Sequence, residues 1–389
     1  MERNYSEKTC LCALNRLLGF EPQVAHRLLE AADSARELFS LSPDDKLKLL
    51  GPFSRIAPML DVRELDKTEE ELSRLSDSGY RFITMDDPGY PALLRECPDA
   101  PLGLYYRGTS PPEKVFNLRP QIAVVGTRDI SMYGKEWCRK IVGALGASKD
   151  KPMVVSGFAL GTDITAHLAA LEAGLPTVAV LPTGIDDIYP SRHRHTASVL
   201  SSTEGCALVT DYPPGTEPKA INFIRRNRII AGMCSGTILI ESKTKGGGMI
   251  TARLAASYDR DLLVLPGRVD DPRSQGCNTL LREKLAEPVT DTVHFLDVLG
   301  LCRPQRRSAA GLEGQLKACY GGSLGQEEMS DLLAVVAVIR RRRGVTPEEI
   351  CPEACLPYSR VIRLVGLLES DGFISIDLLQ RCAINVKIV

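Results

Sequence analysis

Read for its apolar positions, the 389-residue chain changes rhythm three times. From residue 8 to about 72 apolar residues recur at helical spacing, as in LCALNRLLGF and VAHRLLEAADSARELFSL, with Ser42-Pro43 marking a restart. From 122 to 300 short apolar runs alternate with helical stretches. The runs are IAVVG (122–126), MVVSG (153–157), TVAVLP (177–182), ALVTDY (207–212), TILIES (237–242) and LLVLPG (262–267). The spacing predicts helices near 134–147, 163–173, 192–203, 227–234, 249–258 and 278–286. Near-continuous apolar strands separated by helices imply a mostly parallel sheet covered on both faces, the doubly wound α/β class. The preceding stretch, with RFITMDDPGYPALL and LGLYYRG, adds strands or loops to that domain. Residues 302–326 carry Gly, Ser, Gln and charge, and read as a linker. Beyond them a helix over 329–343, a short helix opened by Thr346-Pro347, a third opened by Pro357, and two strands after Gly372 follow the winged-helix order. The domains are thus 1–75 (helical, of sterile-alpha-motif or helix-hairpin-helix type), 76–301 (extended Rossmann-like), a 302–326 linker and 327–389 (winged helix).

Composition adds exclusions. A formal net charge of −1 and a pI near 6.6 give no bulk attraction to nucleic acid, so any anion site must come from local clustering. Twelve scattered cysteines without a C-x-x-C pair read as reduced thiols, and MERNYSEKTC lacks the apolar core of a signal peptide. The expectation is a cytoplasmic protein without a membrane span.

Local clustering is present. Gly126, Gly157, Gly184, Gly215, Gly246 to Gly248 and Gly267 fall at or just past predicted strand ends, which share one edge in a parallel sheet. Glycine there lets backbone N–H groups approach an anion, and each following helix directs its positive end to the same place. The stretch NFIRRNRII (222–230) adds Arg225, Arg226, Asn227 and Arg228. Placed at the start of a helix over 227–234, these arginines repel one another and the helix dipole unless an anion arrives or a carboxylate such as Asp211, Glu217 or Glu241 pairs with them. Arg128 leaves the first strand toward the same edge, and Lys219, Lys243 and Lys245 add charge. Phe223 beside them fits either a core position or a face for base stacking. Four basic residues and no acidic one between 219 and 228 suit an extended polyanion, and stacking beside phosphate contacts points to single-stranded nucleic acid.

Other chemistries find no support. VVGTRDIS is not G-x-G-x-x-G, no P-loop occurs, and no cofactor is expected. His167, one turn after Asp163, reads as a structural histidine, while His193 and His195 lack metal-ligand spacing. No nucleophile stands with a base.

The central residues resemble the DNA-processing protein A family (DprA, also called Smf). The matching motifs are VVGTRDISMYG (124–134), VVSGFALGTDITAH (154–167), AVLPTGIDDIYP (179–190), DYPPGTEP (211–218), FIRRNRIIAGM (223–233), GGGMITARLA (246–255) and LPGRVDDPRSQGCNTLL (265–281). They span about residues 80–300. The resemblance implies an extended Rossmann domain that dimerises, binds single-stranded DNA and hands it to the recombinase RecA, helping displace single-strand-binding protein. It implies no catalysis. Carried over, Arg128 matches the arginine after the first-strand glycine, and Phe223, Arg226, Asn227 and Arg228 match F-x-x-R-N-R. Lys219 lies near a DNA-contacting lysine of some members, and Gly126, Ser156, Gly157, Arg225, Lys243, Lys245, Gly246 and Gly247 complete the expected DNA site. The chain departs from the family at Gly161-Thr162-Asp163 (usually Gly-Ile-Asp), at Gly246–Gly248 (usually Ser-Gly-Ser) and at Ile224 (commonly proline).

Two rivals come from other classes. Related Rossmann proteins hydrolyse nucleotide N-glycosidic bonds with P-G-G-x-G-T-x-x-E, but Ala252 to Ala255 place no glutamate after KGGGMIT. A transcription factor built on the winged helix meets eight Lys/Arg against seven Asp/Glu from 329 to 389, a poor balance for reading duplex DNA.

Overall fold

The computed structural model describes residues 4–301, 316–317, 319–322, 324–342, 344–377 and 380–384. They fall into two compact units, divided after residue 302.

The first unit opens with five helices, α1 (Glu7–Leu18), α2 (Pro22–Ala31), α3 (Ala35–Ser40), α4 (Pro43–Leu50) and α5 (Val62–Asp77). Serine and aspartate start most of them: Ser6, Ser34, Ser42 and Asp61 each accept an N–H from the first turn. Next come β1 (Arg81–Thr84), α6 (Ala92–Arg95), β2 (Gly103–Arg107), β3 (Gln121–Val125), α7 (Met132–Ala147), β4 (Met153–Ser156), α8 (Thr162–Glu172), β5 (Thr177–Val180), α9 (Arg194–Ser202) and β6 (Ala207–Thr210). The remainder is α10 (Ala220–Gly232), β7 (Gly236–Leu239), α11 (Gly247–Ser257), β8 (Asp261–Val264), α12 (Gln275–Arg282), β9 (Glu287–Pro288) and α13 (His294–Val298).

The nine strands form one sheet in the order β1-β2-β6-β5-β4-β3-β7-β8-β9. Strands β3 to β9 run parallel, while β1 and β2 add an antiparallel margin. All residues of β3 to β7 are buried, because successive side chains enter opposite apolar layers. Val125, Val155 and Val180 join Ile229 and Ile230 of α10 and Met233 just past its end. Ile122, Val124 and Val154 join Ile141, Val142 and Leu145 of α7 on the other side. The N-terminal helices are tied to this sheet. Asn15 Nδ2 donates to the Asp211 carbonyl at 3.0 Å, and the Tyr105 hydroxyl donates to Glu71 at 2.8 Å.

One predicted boundary is wrong in a way that matters. Helix α10 begins at Ala220, seven residues before the expected start, so Arg225 to Arg228 lie in its middle and not at its positive end. No side chain caps it, and Lys219 occupies the cap position, so the usual start signal is missing.

In the second unit α14 (Gln326–Arg341), α15 (Pro347–Ala354) and α16 (Tyr358–Ser370) precede an antiparallel hairpin of β10 (Ile374–Ile376) and β11 (Cys382–Ile384). A capping box between Thr346 and Glu349 starts α15. Leu332, Val335, Ile350, Val361, Leu364 and Leu368 form its core. Most of the expected linker, 302–315, lies outside the described residues. Leu316 and Tyr320, from its last part, are buried in this core.

Candidate nucleic-acid interface

Strand order reverses about β3: β4 follows on one side and β7 on the other. A crevice opens beyond the carboxyl ends of strands at such a point, where chains lead away to opposite faces. Here it is a cleft of about 790 Å³, lined by 125–129 after β3, 242–248 after β7, the start of α10, Asp163 and Tyr189.

Its aromatic centre is Phe223. The Arg128 guanidinium lies over the ring at 4.5 Å, and Tyr189 meets the ring edge-on at 5.5 Å. Arg128, Lys243 and Lys245 are exposed at the rim, and among the described residues none of the three makes an ion pair. Gly246 and Gly247 start α11 beside them, with Gly247 open to solvent, so helix N–H groups face the cleft. Asn227 reaches across from α10 to the Gly247 carbonyl at 3.4 Å.

Arg226 forms the floor, 2% exposed. Its Nη1 donates to the Val180 carbonyl at 2.9 Å, and Nε is buried without a partner. Burial pushes its pKa down to about 10, against the opposing charge of Asp163. Asp163 itself accepts the Ala159 N–H at 3.3 Å, and burial raises its pKa.

Of the remaining expected site residues only Gly126 reaches the cleft surface. Arg228 is enclosed by an ion pair to Asp211 at 2.5 Å and a bond to the Asp99 carbonyl. Among the described residues Glu241 pairs with no arginine. It accepts the Ser131 N–H and hydroxyl, fixing the start of α7. Ser156 is fully buried and donates to the Val124 carbonyl at 2.7 Å. Gly157 makes room for a side chain and not for a ligand: a Cβ there would stand 1.8 Å from Arg226 Nη1. Gly126 lines the cleft, but the space freed by its missing side chain is taken by Thr162 Oγ1, 2.5 Å from where a Cβ would sit. Arg225 turns away and lies over Phe20 of the N-terminal helices at 4.1 Å. Lys219 is exposed and lines the neighbouring groove.

Two residues escaped the sequence reading, Tyr189 in the cleft lining and Arg273 beside it. Tyr189, in DIYP, carries no local signal beyond being aromatic near a proline. Arg273 pairs with Asp129 at 3.0 Å, tying the loop after β8 to that after β3. His167 is remote from solvent, with Nδ1 2.7 Å from the Thr177 hydroxyl. Among the described residues no group of carboxylates, cysteines and histidines fits a metal ion, and no helix is long and apolar enough to cross a membrane.

A family model described as DNA recombination-mediator protein A matches residues 81–300, more than half of the chain. The chain belongs to this family. The protein Smf of Synechocystis sp. is 39% identical over 220 residues, covering 57% of this chain and 54% of that protein. The chain therefore spans about half the length of that relative. The X-ray structure of DNA processing protein A from Streptococcus pneumoniae superposes with a TM-score of 0.64 at 29% identity, over 78% of this chain and 99% of that one. A Helicobacter pylori DNA processing protein A, solved to describe its single-stranded DNA binding mode, gives 0.50 at 28% identity, over 57% and 97%. The family segment begins with β1 and ends just after α13, so it contains the whole sheet and every residue of the cleft.

Proposed function

We propose that the protein binds single-stranded DNA in the cleft between β3 and β7. A base stacks on Phe223. Phosphates meet Arg128, Lys243, Lys245 and the N–H groups at Gly246 and Gly247. The observation that carries this reading is the Arg128–Phe223 pair within a rim of cations that, among the described residues, make no ion pairs. A stacking face beside uncompensated charge suits an unpaired base and its backbone. The unpartnered Nε of Arg226 offers a further donor at the floor, while Gly157 and Arg228 position α10. The family membership and the Helicobacter relative support the same ligand. In line with the family's description as a recombination mediator, the strand then passes to the recombinase RecA, with single-strand-binding protein displaced. We place this activity in the cytoplasm and in a homodimer, and read the C-terminal helices and hairpin as a winged helix.

Gel shifts with single-stranded DNA, duplex and mononucleotides at matched salt test the ligand. Single strands should bind with duplex a weak competitor, and equal affinity for both would contradict the reading. For transfer, the protein should speed RecA assembly on strands coated with single-strand-binding protein; no acceleration would leave binding without mediation.

The nucleotide-hydrolase reading has one observation in its favour, the Asp163 carboxyl in the cleft wall. That carboxyl already accepts a backbone N–H and faces Arg226, which leaves it poorly placed to activate water. Nucleoside monophosphates should release no free base; steady release lost in Asp163→Asn would favour the enzyme.

A further inference from the structure

Helix α10 carries the arginine-on-phenylalanine arrangement twice. On the cleft side Arg128 covers Phe223, and on the other side Arg225 covers Phe20 at 4.1 Å. Phe20 comes from the α1–α2 turn and is 51% exposed, so part of its ring stays open beside the guanidinium. Tyr212 lies next to it at 6.1 Å. Together they border a second groove of about 360 Å³, whose lining includes Arg16, Gly215, Glu217 and Lys219.

The two hollows are continuous in the chain around the start of α10. Pro218 and Ala220 line the cleft, and Glu217 and Lys219 line the groove. No side chain caps this helix start, so its first N–H groups lie between the two platforms. The acidic groups do not close the route to an anion. Asp211 is buried and its Oδ2 pairs with Arg228, and Glu217 is exposed, where solvent screens it.

We infer that the groove bordered by Phe20 and Tyr212, with Arg225 over the Phe20 ring, is a second stacking site for the same single strand, which rounds the N-terminus of α10 after leaving Phe223. The strand places one base against Phe20 or on the planar face of the Arg225 guanidinium, and a neighbouring phosphate meets Lys219. Both ring and guanidinium are surfaces that accept any base. The inference rests on the single-strand reading of the main cleft. It assigns the N-terminal helices a share of the DNA path.

The test is a length series of oligothymidylates against the full chain and its Phe20→Ala, Arg225→Ala and Phe223→Ala variants. Phe20→Ala should weaken long oligonucleotides by about fivefold or more, the lower range for one stacked base, and leave those too short to reach both platforms unchanged. Arg225→Ala should show the same length dependence, and Phe20→Trp should restore native affinity. Phe223→Ala should weaken every length. If Phe20→Ala and Arg225→Ala lower the melting temperature while affinity stays native at all lengths, Phe20 and Arg225 only brace the N-terminal helices and the inference is overturned. In that case loss of affinity in Phe223→Ala leaves the main cleft standing. Native affinity in Phe223→Ala as well would remove the reading on which both rest.

Discussion

Arg226 and Arg228 on one side, and Arg128, Lys243 and Lys245 on the other, are neighbours at the same sheet edge with opposite surroundings. The first pair is buried, held by the Val180 and Asp99 carbonyls and by Asp211. The second group is exposed and, among the described residues, without ion pairs. The difference teaches how a helix can carry polar residues all the way round. The inner arginines are held by backbone carbonyls and, for Arg228, by a carboxylate, with only Arg226 Nε left over, and they hold α10 so that Phe223 faces the cleft. The outer cations keep their field for a ligand. The second unit makes the same point: Arg341, Arg342, Arg360 and Arg363 are spent on Glu353, Asp331 and Glu328, leaving less charge for phosphate than the sequence suggests.

The comparison breaks first at Arg228. Removing one partner of a buried ion pair leaves the other charge uncompensated, so Arg228→Ala should lose roughly 3–5 kcal/mol of stability in urea unfolding. Replacing Arg228 and Asp211 together by apolar residues of similar size should recover most of it. A native unfolding midpoint for Arg228→Ala would show that the pair carries no stability. The outer cations should behave in the reverse manner. Alanine at Arg128, Lys243 and Lys245 together should leave the melting temperature near native. It should flatten the plot of log affinity against log salt by about 2, from roughly 0.7 per phosphate contact. An unchanged slope would mean the rim meets no phosphate.

These outcomes also mark what was legible in the sequence. The sheet was readable because β3 to β8 are mostly apolar runs followed by glycine, and the cleft because those glycines share an edge. Which arginines point inward was not readable. Asp211 was among the carboxylates expected to pair, but the choice of Arg228 depends also on Asp99, 129 residues away in sequence. The early start of α10 was hidden by Lys219 standing where a capping residue is expected. Gly157 was misread because nothing local shows that the Arg226 guanidinium fills its space. Phe20 belongs to the turn between α1 and α2, and its partner Arg225 lies more than two hundred residues away.

A smaller effect sharpens the view that His167 is structural. Burial pushes its pKa down from 6.5 to about 3. Between those values the unfolded chain binds a proton that the folded one does not, so stability is full above 6.5 and declines as pH falls toward 3. His167→Gln should show a shallower decline of melting temperature over that range. An equal decline would mean that His167 adds nothing to it.

The central claim is that an unpaired base stacks on Phe223 while separate cations hold the backbone. Titrating an oligothymidylate into the native protein and Phe223→Ala across a series of salt concentrations tests it most directly. The account predicts a loss of roughly 1–3 kcal/mol of affinity at every salt concentration, with parallel salt slopes. Native affinity in Phe223→Ala, or a loss that vanishes at high salt, would contradict it.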